Sequence, residues 1–95
     1  MFEPDKFEWD EAKAASNFLK HSVAFNDAVL VFEDLARAEW DVSRPEDRES
    51  RWKVVGRVHG RLLTVVCTAR GNTCRIISVR RPNRKEERIY GHRSI

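Results

Sequence analysis

The chain has 95 residues, 41% hydrophobic and 35% charged, with a formal net charge of +3. That length suits one domain around one small core and leaves no room for a second. No apolar run approaches the roughly 20 residues that span a bilayer, and Met1-Phe2-Glu3-Pro4-Asp5 lacks the basic start and apolar block of a signal peptide, so a cytoplasmic protein without membrane contact is expected.

Phe7-Glu8-Trp9 reads as a short edge strand that delivers the chain to a helix. Asp10 suits the N-cap, Glu11 suits the first turn, and Trp9 can fold back on Ala14. The helix is expected to reach about His21. Ala12, Ala15, Phe18 and Leu19 form its apolar stripe; Lys13, Asn17, Lys20 and His21 form its polar side. That side is either a solvated face or a lobe that grips phosphate or an acidic partner. Asn26 and Asp27 start a second helix with Phe25, Ala28, Val29 and Phe32 toward the core. It stops by Phe32, because Glu33-Asp34 opposes the helix dipole. Short helices with a short link predict an antiparallel helical hairpin. Residues 37–42 alternate like a strand, and residues 43–50 form a charged, Pro-containing surface loop.

Residues 51–81 form the centre of the fold, with β-branched runs separated by Gly-containing turns. His59-Gly60 suits a two-residue hairpin turn, which sets Val58 opposite Arg61, Val54 opposite Val65 and Trp52 opposite Cys67. One face then carries Trp52, Val54, Leu63, Val65 and Cys67. The other carries Arg51, Lys53, Arg57, Thr64, Thr68 and Arg70, diluted by Val55, Leu62 and Val66. A three-residue connection to the next strand puts Ile77 and Val79 on the core face, with Ser78 and Arg80 on the basic one. A two- or four-residue connection reverses this. The first is preferred because it buries two apolar residues together. Pro82 ends pairing. Asn83 and Glu86 read as a capping box for a last helix, Arg84 to about Tyr90, stopped by Gly91 before a tail. The expected architecture is α+β: a small antiparallel sheet, a helical hairpin on one face and a short C-terminal helix, all in one domain of residues 1–95.

The net charge conceals a split. Residues 1–50 hold six Lys/Arg against thirteen Asp/Glu, a balance of −7, whereas residues 51–95 hold twelve against two, a balance of +10. Such asymmetry points to nucleic acid or a charged partner, or to two halves that neutralise each other. Cys67 and Cys74 are too far apart for a CxxC motif and read as reduced, packed thiols. There is no phosphate-binding Gly-rich loop, HExxH, Cys/His metal spacing or GxSxG, so neither metal nor cofactor is expected.

What remains is Arg, Lys, His and Tyr, which suit a polyanion. Metal-free RNA cleavage needs little else, because the ribose 2′-hydroxyl attacks its own phosphate. The protein must orient the strand, offset charge on the phosphorane, and move two protons. Arg suits the charge task with its planar, permanently charged fork. The catalytic candidates are Arg57, Arg80, Tyr90 and His21, with Lys53, Arg61, Arg70 and Lys20 as RNA contacts. The plainer reading makes a strand Arg a solvated neighbour and Tyr90 a packing residue.

Several blocks resemble the BrnT family of bacterial toxins. They are Phe7-Glu8-Trp9-Asp10-Glu11-Ala12-Lys13, Asn17-Phe18-Leu19-Lys20-His21, Phe25-Asn26-Asp27-Ala28, residues 60–68, Arg75-Ile76-Ile77-Ser78-Val79-Arg80 and Glu87-Arg88-Ile89-Tyr90. Ser22 departs from the pattern, since the family usually has Gly after the His. The resemblance implies a RelE-like fold, with helices on one sheet face and the opposite face open to RNA. It implies a translation-inhibiting ribonuclease and a BrnA-type ribbon-helix-helix antitoxin, through which alone the toxin would reach operator DNA. It also implies roles for Arg80 and Tyr90, which match a late-strand Arg and a C-terminal Tyr. Other readings are a non-catalytic RNA-binding module and an antitoxin-docking module.

Overall fold

The computed structural model describes residues 2–93. Its elements are β1 (Lys6–Glu8), α1 (Glu11–His21), α2 (Phe25–Val31), β2 (Ala38–Asp41), β3 (Arg51–Val58), β4 (Arg61–Arg70), β5 (Thr73–Arg80) and α3 (Arg84–Arg93). The strands form one sheet in the order β1-β5-β4-β3-β2. The architecture is α+β, as expected, but the sheet is mixed rather than wholly antiparallel, because β1 pairs with β5 in parallel. A long crossover separates those two strands, which parallel pairing requires.

The β3–β4 hairpin has the register read from its turn. Val58 faces Arg61, Val54 faces Val65 and Trp52 faces Cys67. His59 (φ 50°) and Gly60 (φ 83°) both take positive φ, the geometry of a two-residue turn that matches strand twist.

The third strand differs from expectation. The connection has two residues, so Arg70 faces Thr73, and Cys74 and Ile76 enter the core. A bulge opposite Val66 then inserts Ile77 and reverses the alternation. Val79 is therefore core, and Ser78 and Arg80 stay on the basic face. Ile77, expected in the core, is half-buried on the other side; Ile76 takes its place at 1% exposure.

The core face of the sheet packs its Val, Leu, Ile and Cys side chains against Val23, Phe25, Ala28, Val31 and Phe32. Gly56 allows the closest approach. A Cβ there would lie 2.9 Å from both Cγ1 and the carbonyl oxygen of Val31, so a missing side chain lets α2 lie on β3.

The first helix is capped as expected: Asp10 Oδ1 accepts from the N–H groups of Ala12 (2.8 Å) and Lys13 (3.2 Å). Its buried side is not the expected one. Ala12, Ala15, Phe18 and Leu19 are exposed, and Asn17 points inward. The reason lies in β5. Its partner β1 reaches only Arg75, which leaves the outer backbone edge at Val79 without a strand. Buried backbone groups must be paired. Asn17 Oδ1 accepts from Val79 N–H (3.2 Å), and Nδ2 donates to the carbonyls of Val79 (2.9 Å) and Val23 (3.2 Å). Ser22 ends the helix in the left-handed region, at φ 58° and ψ 31°.

Arg37 is fully buried. Its guanidinium donates to the carbonyls of Phe32 (2.9 Å) and Phe2 (2.8 Å) and pairs with Glu3 and Glu39, which fixes the segment after α2. The last helix does not stop at Gly91 but runs to Arg93. The rest of the expected tail, residues 94–95, lies outside the described residues. Among the described residues, no helix is long and apolar enough to cross a membrane.

Candidate nucleic-acid interface

The basic face of the sheet has two ends, and α3 crosses one of them, packing on β3 and β2. Glu86 and Tyr90 are one turn apart on α3 and share a side. Lys53 and Arg57 are four apart on β3 and share a face. The helix therefore lays Glu86 and Tyr90 over the strand, and two side-chain clusters form between them.

The first cluster centres on Glu86, which is 2% exposed. Its Oε1 accepts from Arg80 Nη1 (2.7 Å), Thr64 Oγ1 (3.0 Å) and the Asn83 N–H (3.0 Å). Its Oε2 accepts from Arg80 Nη2 (2.9 Å) and Lys53 Nζ (3.0 Å). Asn83 Oδ1 in turn accepts from the Glu86 N–H at 2.8 Å, which completes the capping box. Burial alone would raise the Glu86 pKa. The donors, led by Arg80, outweigh it and bring the carboxyl down to about 2. The same contact raises the pKa of Arg80.

The second cluster joins Tyr90, Asp34 and Arg57. The Tyr90 hydroxyl donates to Asp34 Oδ2 (2.7 Å), which also accepts from the Arg57 backbone N–H (2.7 Å). Asp34 Oδ1 accepts from the Ala36 N–H (2.9 Å). The guanidinium of Arg57 lies 5.7 Å from the centre of the Tyr90 ring, within cation–π range. Burial and then the Asp34 carboxylate raise the Tyr90 pKa, with Arg57 acting the other way. Burial raises that of Asp34, but hydrogen bonds from the Arg57 N–H and the Tyr90 hydroxyl bring it below the ordinary value. The result is a proton-bearing phenol held against a carboxylate, with an exposed guanidinium beside it.

The structure thus brings together Lys53 and Arg80, and separately Arg57 and Tyr90, on one strip. Arg70 stands at the far end of the same face, where Nε and Nη2 donate to Glu49 at 2.7 and 2.9 Å. Arg61 shares the side of Leu63 and Val65 and pairs with Asp27 of α2 at 3.6 Å. Lys20 and His21 occupy the last turn of α1, which packs on β5. Neither joins the hydrogen bonds of the two clusters among the described residues.

Two residues at the centre of the strip escaped the sequence reading. Glu86 registered only as a helix cap, although its spacing of four from Tyr90 puts both on one helix side. Asp34 registered only as a poor helix end; nothing in its local pattern marks it. Among the described residues, no group of three or more His, Cys, Asp or Glu is placed to hold a metal ion.

A family model described as ribonuclease toxin, BrnT, of type II toxin-antitoxin system matches residues 9–86. A search of curated proteins gives no match.

Proposed function

The chain belongs to the BrnT family of ribonuclease toxins of type II toxin–antitoxin systems, and we propose that it is an endoribonuclease that cleaves RNA without a metal ion. The observation that carries this reading is the strip itself: Lys53, Arg57 and Arg80 lie on one sheet face under the helix that brings Tyr90 beside Arg57, its hydroxyl donating to Asp34.

In this scheme the 2′-hydroxyl oxygen attacks the adjacent phosphorus and its proton passes to solvent. The P–O5′ bond breaks, leaving a 2′,3′-cyclic phosphate, and Tyr90 protonates the departing 5′-oxygen. Arg57, with Arg80 and Lys53, offsets the charge that develops on the phosphorane. Glu86 and Asp34 are held too acidic to remove a proton well, which suits them to positioning. His21 is not used. The partner is a BrnA-type ribbon-helix-helix antitoxin, and operator DNA is reached only in its complex. The family supports an antitoxin; its type is part of the proposal.

The test is incubation of purified protein with bulk RNA in EDTA. Cleavage with cyclic phosphate ends is expected. Folded Tyr90→Phe should be about 100-fold slower, the scale of general acid catalysis, and Arg57→Ala slower still. RNA left intact by folded wild-type protein would refute the scheme. The filled fork of Arg80 favours a second reading, in which the strip only docks the antitoxin; intact RNA together with tight antitoxin binding would support that one.

A further inference from the structure

At the end of the basic face away from α3, a basin of about 200 Å³ opens between α1, the 43–50 loop and strands β3 to β5. We propose that it binds a phosphate of the same RNA strand whose cleaved bond lies under α3. This rests on the ribonuclease reading above and names a contact that the reading does not require.

Charge is the first argument. Five cations line the basin against two carboxylates, Asp47 and Glu49. Arg70 is tied to Glu49 at 2.7 Å and Arg75 to Glu8 at 2.9 Å. Among the described residues, no ion pair within 4.0 Å engages the other three, Lys13, Arg48 and Arg51. Asp47 feels Arg51 only at longer range.

The basin also holds a donor without an acceptor. Nε of Arg51 is buried and has no hydrogen-bond partner. Such a group in a folded chain calls for an explanation, and a role in binding an anion is one. Arg51 is half-buried and lines the basin, so a turn of its side chain would bring that donor to a phosphate oxygen, the acceptor best matched to a guanidinium.

Position is the third. Thr68 lies in the basin and Thr64 under Glu86, four residues apart on β4. At the usual strand rise that is about 13 Å along one face, a distance that a short single-stranded segment spans. The bulge adds Ile77 to the basin wall, an apolar surface for a ribose or base between the charges. Single-stranded nucleic acid is held by such a basic groove combined with apolar contact.

The experiment measures binding of a 2′-O-methyl RNA oligonucleotide, which cannot be cleaved, over a salt series. Arg51→Gln should bind severalfold more weakly than wild type, with a salt slope shallower by about 0.7, the value for one lost single-strand phosphate contact. Lys13→Gln, on the exposed side of α1, tests the same basin without touching the sheet and should also bind more weakly. With cleavable RNA the loss should appear in KM rather than kcat. Wild-type affinity and slope in both variants overturn the proposal. So does a loss confined to binding of purified antitoxin. Salt-sensitive binding through Arg51 by a protein that never cleaves RNA would sink the ribonuclease scheme and leave the basin standing.

Discussion

Arg80 and Glu86 meet fork to fork, Nη1 to Oε1 at 2.7 Å and Nη2 to Oε2 at 2.9 Å. The pair ties the end of β5 to α3 at a site where the carboxylate is almost completely enclosed. Its strength comes from parallel charge-assisted bonds, and its cost from desolvating both ions.

That pair should make stability fall in acid. The Glu86 pKa drops from an ordinary 4.5 to about 2 on folding. Its contribution is complete above the unfolded value and is lost as pH falls from about 4.5 through about 2. A shift of this size corresponds to about 3 kcal/mol. Urea denaturation at pH 7 and pH 2.5 should therefore show a smaller acid loss in Glu86→Gln than in wild type. Parallel acid profiles would contradict the pairing.

Tyr90 is the only tyrosine in the chain, so phenolate absorbance titrates it alone. The midpoint should lie above the ordinary 10, because burial and the Asp34 carboxylate both oppose ionisation. Asp34→Asn should lower it toward that value. A wild-type midpoint at or below 10 would mean that the phenol does not face a carboxylate.

Ser22 occupies a backbone region that costs L-residues about 1–2 kcal/mol. Ser22→Gly should raise the unfolding free energy by about 1 kcal/mol, seen as a higher urea midpoint at unchanged m-value. Gly56→Ala should act in the opposite direction, by about 1–3 kcal/mol, because the added methyl meets the Val31 backbone at 2.9 Å.

Asn17→Leu offers a further check, since leucine is the better helix former. It should nevertheless destabilise the chain by about 1–3 kcal/mol. The backbone groups of Val79 would lose their partner while still buried. Equal or greater stability would show that water can replace the amide there.

The features that could be read in advance are those that local chemistry determines. The β3–β4 register follows from two turn residues, and the caps at Asp10 and Asn83 follow from their own side chains. Placement of the apolar stripe of α1 failed because that helix serves a strand edge, and an unpaired edge selects an amide over a hydrocarbon. Ile77 was misplaced because a bulge leaves no mark in an alternating pattern. Asp34 and Glu86 were missed as site residues because each is completed by distant strand residues: Arg57 is 23 positions from Asp34, and Thr64 and Lys53 are 22 and 33 from Glu86. A carboxylate enclosed by cations becomes visible only when the chain is folded.

The bulge in β5 also bears on which length changes the gene could accept. Ile77 is the one position between Ile76 and Arg80 without a counterpart on β4. Excising it would leave Ile76 across from Cys67 and Val79 across from Val65, so every other side chain would keep its orientation. Loss of either neighbour of Val65 would instead rotate everything beyond it by half a turn. Descendants one codon shorter within β5 should therefore have lost their codon at position 77.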